Sequence, residues 1–177
     1  IPIDDIRNIQ LECRAIDDDM RWLIALISDT GMRLAEGAGL LKQDFIGLDT
    51  DLPYVRVTKH PWRNLKRASS ERKVPLVGEA LWAARRIIEA DTASDFAFPR
   101  YNRTSQTAAN SASAALNKWL KQYVPDGCTM HSFRHSMRDR LRAVQCPSDI
   151  TDQIGGWTTD GVGQGYGSGY PISVMRE

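Results

Sequence analysis

The chain has 177 residues, 42% of them hydrophobic and 25% charged, which is the composition of a single soluble globular domain with a core of its own. No apolar run approaches the roughly 18 residues that a membrane helix needs, so we expect no membrane span. The widely spaced Cys13, Cys128 and Cys146 form no CxxC pair, so we expect neither a disulfide framework nor a zinc site, and a reduced, cytoplasmic setting. The net charge of +1 favours no class of partner.

Helical periodicity predicts a mainly α fold with a small antiparallel β-sheet, an α+β class, in one domain. The helices are expected at 3–14, 18–30, 33–40, 77–90, 110–123, 130–144 and 147–155. The segment 18–30 is apolar nearly all round, which predicts a buried helix. Strand signals occur only between 44 and 75, in three β-prone segments separated by polar turns, at 45–48, 54–58 and 73–76.

Basic side chains are concentrated in two blocks of the sequence. Residues 59–73 hold six basic side chains and one acidic one, and residues 131–142 hold four arginines and one aspartate. Local basic blocks of this kind are typical of proteins that bind polyanions. An ordinary solvated surface of mixed charge is the alternative interpretation of either block.

The predicted helix at 130–144 carries two candidate site residues. At about 100° per residue, Phe133, Met137, Leu141 and Val144 form one stripe, which we expect to face the core. Arg134 lies at the seam between this stripe and the adjoining basic face that includes His131 and Arg138. A guanidinium held there by packing suits bidentate phosphate recognition, although a plain basic surface helix would show the same pattern.

A metal site on this helix is not expected. His131 and His135 are four residues apart, which would suit a pair of ligands on one face. The metalloprotease pattern, however, needs glutamate directly after the first histidine, and Ser132 occupies that position. No third ligand is evident.

Three segments in order resemble the tyrosine recombinases, the phage integrase family. Residues 30–36 match the family's TGxRxxE segment, and His131 to Arg134 match HxxR. Trp157 precedes Tyr166 by nine residues, the family's spacing between its His/Trp position and the nucleophile. The resemblance implies that 1–177 is a single catalytic domain and that the family's amino-terminal DNA-clamping domain lies outside this chain.

The chain departs from the family pattern in two places. Most members have histidine where Trp157 stands, and an indole donates a hydrogen bond but cannot exchange a proton at neutral pH. Trp157 is therefore expected to contact phosphate and to pack. Eleven residues follow Tyr166, so the family's carboxyl-terminal helix, which docks on a neighbouring subunit, looks short.

The resemblance also implies the roles of the catalytic residues. Tyr166 would attack the scissile phosphate and leave a 3′-phosphotyrosyl link and a free 5′-hydroxyl, with Tyr170 as the rival nucleophile. Arg33 and Arg134 would bind the non-bridging oxygens. Lys66 would be the general acid, with Lys59 as the alternative. His131 would accept the tyrosine proton or contact the phosphate. The expected DNA contacts are Lys59, Arg63, Arg67 and Arg138.

The family likeness thus implies site-specific recombination or integration of double-stranded DNA. Neither a metal nor another cofactor is expected, because arginines supply the positive charge that a cation otherwise would. The full-length protein is expected to form a tetramer on DNA and to act in the cytoplasm of a bacterial or phage-infected cell, associated with the nucleoid. Relaxation of DNA by a type IB topoisomerase-like enzyme and a non-catalytic DNA-binding relative are the alternatives.

Overall fold

Helices are the main secondary structure of the described residues, as predicted. The computed structural model describes residues 1–65, 70–90, 92–103, 105–157 and 169–176. Within them the helices are α1 (Ile3–Ile16), α2 (Asp19–Thr30), α3 (Leu34–Ala38), α4 (Gly78–Glu89), α5 (Ala109–Leu120), α6 (Ser132–Ala143), α7 (Ser148–Gly155) and α8 (Ile172–Arg176). The strands are β1 (Phe45–Ile46), β2 (Tyr54–Val57), β3 (Arg72–Pro75), β4 (Asn102–Arg103) and β5 (Gln106–Thr107). The predicted α+β class is confirmed.

Strands β1, β2 and β3 form the predicted antiparallel sheet in sequence order. Val55 of β2 pairs with Val74 of β3, and Val57 pairs with Arg72. Successive side chains of a strand point to opposite faces, so Arg72 shares the buried face with Val74, while Lys73 between them is exposed. The pleat therefore directs an arginine from the start of β3 into the protein.

The core is organised around α2, whose residues Leu23 to Ile27 have no exposed surface. This confirms the prediction of a buried helix. The helix ends at Gly31, which adopts φ +59°, a conformation that glycine reaches without steric cost. A Cβ on Gly31 would lie 2.9 Å from Cβ of Met137, so α6 packs directly against this turn. The same approach places Arg134, one helical turn earlier, beside Gly31.

Helix α6 buries a different stripe from the predicted one. Phe133 is buried as expected, and Met137 is partly buried, but Val144 is 74% exposed. Arg134 and Ser136 are buried instead. Two elements explain the difference: α6 packs against both α2 and α7, which widens its buried surface at the amino-terminal end, and Val144 lies beyond the last helical residue.

Two further elements were not predicted. Strands β4 and β5 pair as a hairpin, but two-residue strands are too short for an alternating pattern to appear in the sequence. Asn102 fixes the hairpin by donating from Nδ2 to the carbonyl oxygens of Ala38 and Phe98, at 2.6 and 2.8 Å. The short helix α8 packs against β3 and buries Met175. No helix in the described ranges combines the length and apolarity required to cross a bilayer.

Candidate phosphate-binding site

A single buried carboxylate connects two arginines that are far apart in sequence. Glu36 is 3% exposed. Its Oε1 accepts a hydrogen bond from Nη1 of Arg33 at 2.6 Å, and its Oε2 accepts one from Nη2 of Arg72 at 3.0 Å. The backbone N–H of Arg33 also donates to Oε2, at 2.9 Å, so the carboxylate caps the start of α3. Glu36 thus holds Arg33 at the amino-terminal end of a helix.

The pKa of Glu36 reflects this double pairing. Burial pushes its pKa upward, but the charge of Arg72 and the hydrogen bonds from Arg72 and Arg33 outweigh the burial and hold the pKa below its ordinary value. Glu36 is therefore ionised at neutral pH. One negative charge serves two guanidiniums, and the site has a surplus of positive charge.

Arg72 belongs to the basic block at 59–73, and no motif in the sequence predicts a role for it. The structure places it 8% exposed, with Nε donating to the carbonyl oxygen of Ile154 at 2.8 Å and Nη1 donating to the carbonyl oxygen of Ser70 at 2.8 Å. The sequence contains one signal for this placement: at two-residue spacing, Arg72 falls on the same strand face as the apolar Val74.

Arg134 reaches the same region from α6. It is 4% exposed, and its Nη1 donates to the carbonyl oxygen of Gly31 at 2.9 Å. Its Nη2 is buried without a hydrogen-bond partner among the described residues. Desolvation, reinforced by the charges of Arg33 and Arg72, lowers the pKa of Arg134 to about 10. The guanidinium still carries its charge at neutral pH, but no protein carboxylate pairs with it directly in the part of the chain that is described.

Trp157 covers Arg134. The indole ring centre lies 4.3 Å from Cζ of Arg134 and 5.1 Å from Cζ of Arg138, within the range of cation–π contacts. The two preceding glycines permit this geometry. A Cβ on Gly155 would lie 1.9 Å from the Trp157 ring, and Gly156 adopts φ +62° as the carboxyl-terminal cap of α7. The Gly-Gly-Trp sequence is therefore a turn that folds the indole back onto α6.

His131 lies at the amino-terminal end of α6, three residues before Arg134. Its carbonyl oxygen accepts a hydrogen bond from the backbone N–H of Arg134 at 3.1 Å. Its ring is exposed and lies 5.1 Å from the ring of His135, edge to face. The structure thus brings Arg33, Arg134 and Trp157 together and places His131 on the helix that carries Arg134. Within the described ranges, no cluster of three His, Cys, Asp or Glu side chains could hold a metal.

The predicted DNA contacts lie in different environments. Lys59 is exposed just after β2, and Arg138 is 40% exposed beside Trp157 and 3.5 Å from Oδ1 of Asp152. Arg63, in contrast, is buried, and its guanidinium donates to the carbonyl oxygens of Glu36 and Thr58. Arg63 therefore supports the α3 region from inside the fold, and its contact with DNA stays a prediction. Arg67 lies outside the described residues.

Two predicted catalytic residues also lie outside the described residues: Lys66, in the interval 66–69, and Tyr166, in the interval 158–168. The rival nucleophile Tyr170 is described. Its hydroxyl hydrogen-bonds to the Asp149 carboxylate, and its backbone N–H donates to Oε1 of Gln153 at 2.7 Å. The hydrogen bond to Asp149 raises the pKa of Tyr170. Tyr170 is thus held on α7 by hydrogen bonds to Asp149 and Gln153.

A sequence model of the phage integrase family matches residues 3–168. No curated protein sequence matches the chain. Among solved structures, the chain is similar to that of XerA recombinase, with a TM-score of 0.67 and 17% identity over 99% of this chain and 56% of that chain.

Other similar structures contain DNA. The Tn1549 transposon integrase in complex with transposon right end DNA has a TM-score of 0.63 and 20% identity over 90% of this chain and 58% of that chain. The XerH site-specific recombinase bound to difH substrate has a TM-score of 0.62 and 15% identity over 99% of this chain and 48% of that chain. The chain therefore spans only about half of the length of these proteins.

Proposed function

Because the chain belongs to the phage integrase family, whose sequence model matches residues 3–168, we propose that it is the catalytic part of a tyrosine-type site-specific DNA recombinase. The reaction would be cleavage and rejoining of double-stranded DNA, in recombination or integration. One observation carries the proposal: the buried Arg134 has a nitrogen without a hydrogen-bond partner among the described residues, and it stands within the positive field of Arg33 and Arg72. A site of this charge fits a phosphodiester.

The arrangement of charge matches the requirement of phosphoryl transfer. A phosphodiester carries one negative charge over two non-bridging oxygens, and its pentavalent transition state accumulates more. Arg33 keeps a quarter of its side chain exposed, and Arg134 has a free Nη2 among the described groups. Both can donate to those oxygens from fixed positions, and preorganised donors of this kind cost no reorganisation when the charge develops.

Each residue then has a defined step. The Tyr166 oxygen forms a bond to phosphorus while the bond from phosphorus to the 5′-oxygen breaks, and His131 accepts the tyrosine proton or contacts the phosphate. Lys66, or Lys59 in its place, donates a proton to the leaving 5′-oxygen. Trp157 holds Arg134 by stacking and contacts the phosphate. The 5′-hydroxyl of a partner strand reverses these steps, and the strands rejoin without ATP because the phosphotyrosyl bond retains the energy.

The environment of Tyr170 supports Tyr166 as the nucleophile. A phenol that donates to Asp149 is harder to ionise, because the negative carboxylate raises its pKa. Its backbone is also fixed by Gln153. Tyr166 stands nine residues after Trp157 in the sequence, the spacing that the family has between its His/Trp position and the nucleophile.

The partner is double-stranded DNA. The XerH and Tn1549 relatives were solved on DNA, and the exposed Lys59 and Arg138 would contact the phosphate backbone beside the scissile position. In the full-length protein we expect a tetramer on DNA. The activity would take place where the DNA is, at the nucleoid of a bacterial or phage-infected cell.

A trapping experiment tests the function. The protein is mixed with a pool of duplexes whose sequence is randomised around a nick, so that cleavage beside the nick releases a short strand and prevents rejoining. We expect a covalent protein–DNA adduct in the wild type and in Tyr170→Phe, none in Tyr166→Phe, and full yield in EDTA.

Three other results would contradict the proposal. Absence of an adduct in the wild type would favour the non-catalytic DNA-binding relative. Loss of the adduct in Tyr170→Phe but not in Tyr166→Phe would reassign the nucleophile. Relaxation of supercoiled plasmid without preference for any duplex in the pool would favour the topoisomerase-like enzyme.

A further inference from the structure

Each of the three guanidinium nitrogens of Arg72 donates to a different oxygen, and two of these oxygens lie on other elements of the fold. Nη2 bonds to Glu36 on α3, Nη1 bonds to the carbonyl oxygen of Ser70, and Nε bonds to the carbonyl oxygen of Ile154 on α7, all within 2.8–3.0 Å. Arg72 is 8% exposed, and each of its three guanidinium nitrogens has a protein acceptor. This distinguishes it from Arg134, whose Nη2 is unpaired in the described part of the chain.

The contact with α7 is at the turn that carries Trp157. Ile154 is the penultimate residue of α7, and its carbonyl would otherwise be one of the unpaired carbonyls at the helix end. Arg72 also packs against Gly156, where a Cβ would lie 3.0–3.2 Å from its side chain. The guanidinium therefore fixes the last turn of α7 through a hydrogen bond and through direct packing.

We propose that Arg72 is a positioning residue that sets Trp157 over Arg134 by clamping the end of α7 to the Arg33–Glu36 pair. The contacts form a continuous path: Arg33 to Glu36, Glu36 to Arg72, Arg72 to the α7 turn, and Trp157 at that turn to Arg134. The catalytic consequence rests on the proposed function, because it requires the arginine site to act on a phosphate. The positioning itself does not.

Arginine is required for this role because lysine cannot satisfy the same acceptors. The planar guanidinium presents donors in a fixed fork, and each of its three nitrogens here has a separate oxygen acceptor. An ammonium is a point charge on a flexible stem. Arg72→Lys therefore keeps the positive charge near Glu36 but loses the simultaneous bonds to Ser70 and Ile154. The matched control is Lys73→Met, which removes an exposed cation from the next position of the same strand.

The first experiment reads the position of Trp157 without any catalysis. The five tryptophans are replaced by 5-fluorotryptophan, and the fluorine resonance of Trp157 is assigned with Trp157→Phe. We expect Arg72→Lys and Glu36→Gln to shift or broaden the Trp157 resonance beyond its linewidth, while Trp82 and Trp119 stay unchanged. Lys73→Met should leave the Trp157 resonance in place. An unmoved Trp157 resonance in Arg72→Lys overturns the proposal.

The second experiment reads the consequence for cleavage of the nicked duplex pool in a single turnover. Misplacement of a group by about 1 Å typically costs on the order of 10²-fold in rate, so we expect Arg72→Lys to slow adduct formation by about 10–100-fold while DNA affinity changes by less than about 3-fold. In a Trp157→Phe background the same substitution should change the rate by less than about 2-fold, because residues that act together are not additive.

The outcomes separate the two proposals. Equal losses of DNA affinity and cleavage in Arg72→Lys, or rate effects that multiply with those of Trp157→Phe, would mean that Arg72 only supports the fold, and the positioning role would fall. If the wild type forms no adduct at all, the proposed function fails, and the fluorine resonance of Trp157 still decides whether Arg72 positions the turn. Should Arg72→Lys not fold, the Trp157 resonance in Glu36→Gln decides in its place, because the cleavage rate of that variant would also reflect the lost Arg33–Glu36 pair.

Discussion

The two buried arginines of the site differ in how their charge is compensated. Arg72 bonds directly to a carboxylate, whereas Arg134 bonds to one carbonyl and stacks on an indole. Burial and the nearby arginine charges lower the pKa of Arg134 to about 10, so the folded state binds this proton less tightly than the unfolded state does. Stability therefore increases as the pH rises above about 10, and at neutral pH the buried charge costs on the order of 3 kcal/mol.

An anion that binds Arg134 should recover part of this cost. We expect 50 mM sulfate to raise the unfolding temperature of the wild type by about 2–4 °C, which corresponds to about 1 kcal/mol of binding free energy. Arg134→Gln should gain clearly less, and should also lose adduct formation while retaining most of its DNA affinity. Thermal unfolding in sulfate and in chloride of equal ionic strength measures the difference. An identical sulfate response in both proteins would contradict an anion site at Arg134.

The charge of Glu36, in contrast to that of Arg134, stabilises the folded protein. Its pKa is lower in the folded protein than its ordinary value of 4.5, so its ion pairs stabilise the fold above pH 4.5, and this contribution is lost as the pH falls below that value. Glu36→Gln leaves two guanidiniums without a carboxylate and should destabilise the protein by about 3–5 kcal/mol at pH 7. Urea unfolding from pH 7 to pH 3 should show the gap between the two proteins closing below pH 4.5. A gap that is constant with pH would refute the pairing.

At the scale of elements, local pattern predicted the long elements and failed on the short ones. Helix α2 was predicted almost to the residue because its apolar run and Gly31 mark it without reference to the rest of the fold. The β4–β5 hairpin was missed because two residues per strand give no alternation, and its order depends on Asn102, which bonds to two carbonyls outside the hairpin. Val144 was misplaced because periodicity indicates an apolar stripe but not where packing stops.

The end of α7 allows a test of the Gly-Gly-Trp turn. Gly156 and Gly127 both have positive φ, +62° and +85°, but a Cβ on Gly127 would meet no atom within 4 Å, whereas one on Gly156 would crowd Arg72. An alanine in this conformation costs about 1–2 kcal/mol from the backbone alone. We expect Gly127→Ala to lose about this much stability and to cleave DNA as fast as the wild type.

Gly156→Ala should lose more stability than Gly127→Ala and should also form adduct more slowly. Urea unfolding and the rate of adduct formation on the nicked duplexes measure the two effects. Matching losses in the two variants would mean that the turn needs glycine only for its backbone and not for its approach to Arg72.

At the scale of the whole molecule, the sequence identified which residues meet but not how they are held. Arg33, Arg134 and Trp157 were predicted from motifs, because each motif is local and keeps its order in the chain. Arg72 and the burial of Arg63 could not be read from the same blocks, since a run of basic residues does not indicate which side chains turn inward. That distinction depends on the pleat of β3 and on the position of α3 against it.

The exposed basic residues should determine affinity for DNA in general. Lys59 is exposed just after β2, so Lys59→Glu should weaken binding to all duplexes alike and should reduce the slope of log affinity against log salt concentration by about 1. Arg85→Glu changes the charge equally on α4 and should have a much smaller effect. Fluorescence anisotropy at several salt concentrations measures both. A Lys59 effect confined to one duplex sequence would indicate base recognition instead.

The indole that lies over Arg134 also forms a flat aromatic surface next to a cation that pairs directly with no carboxylate of the described residues. Small aryl sulfonates match this combination, because their ring can stack on Trp157 while their oxygens reach the guanidinium. Compounds of this type should therefore compete with nucleic acid for the protein, and Trp157→Ala should make it resistant to them, which offers a starting point for inhibitor chemistry.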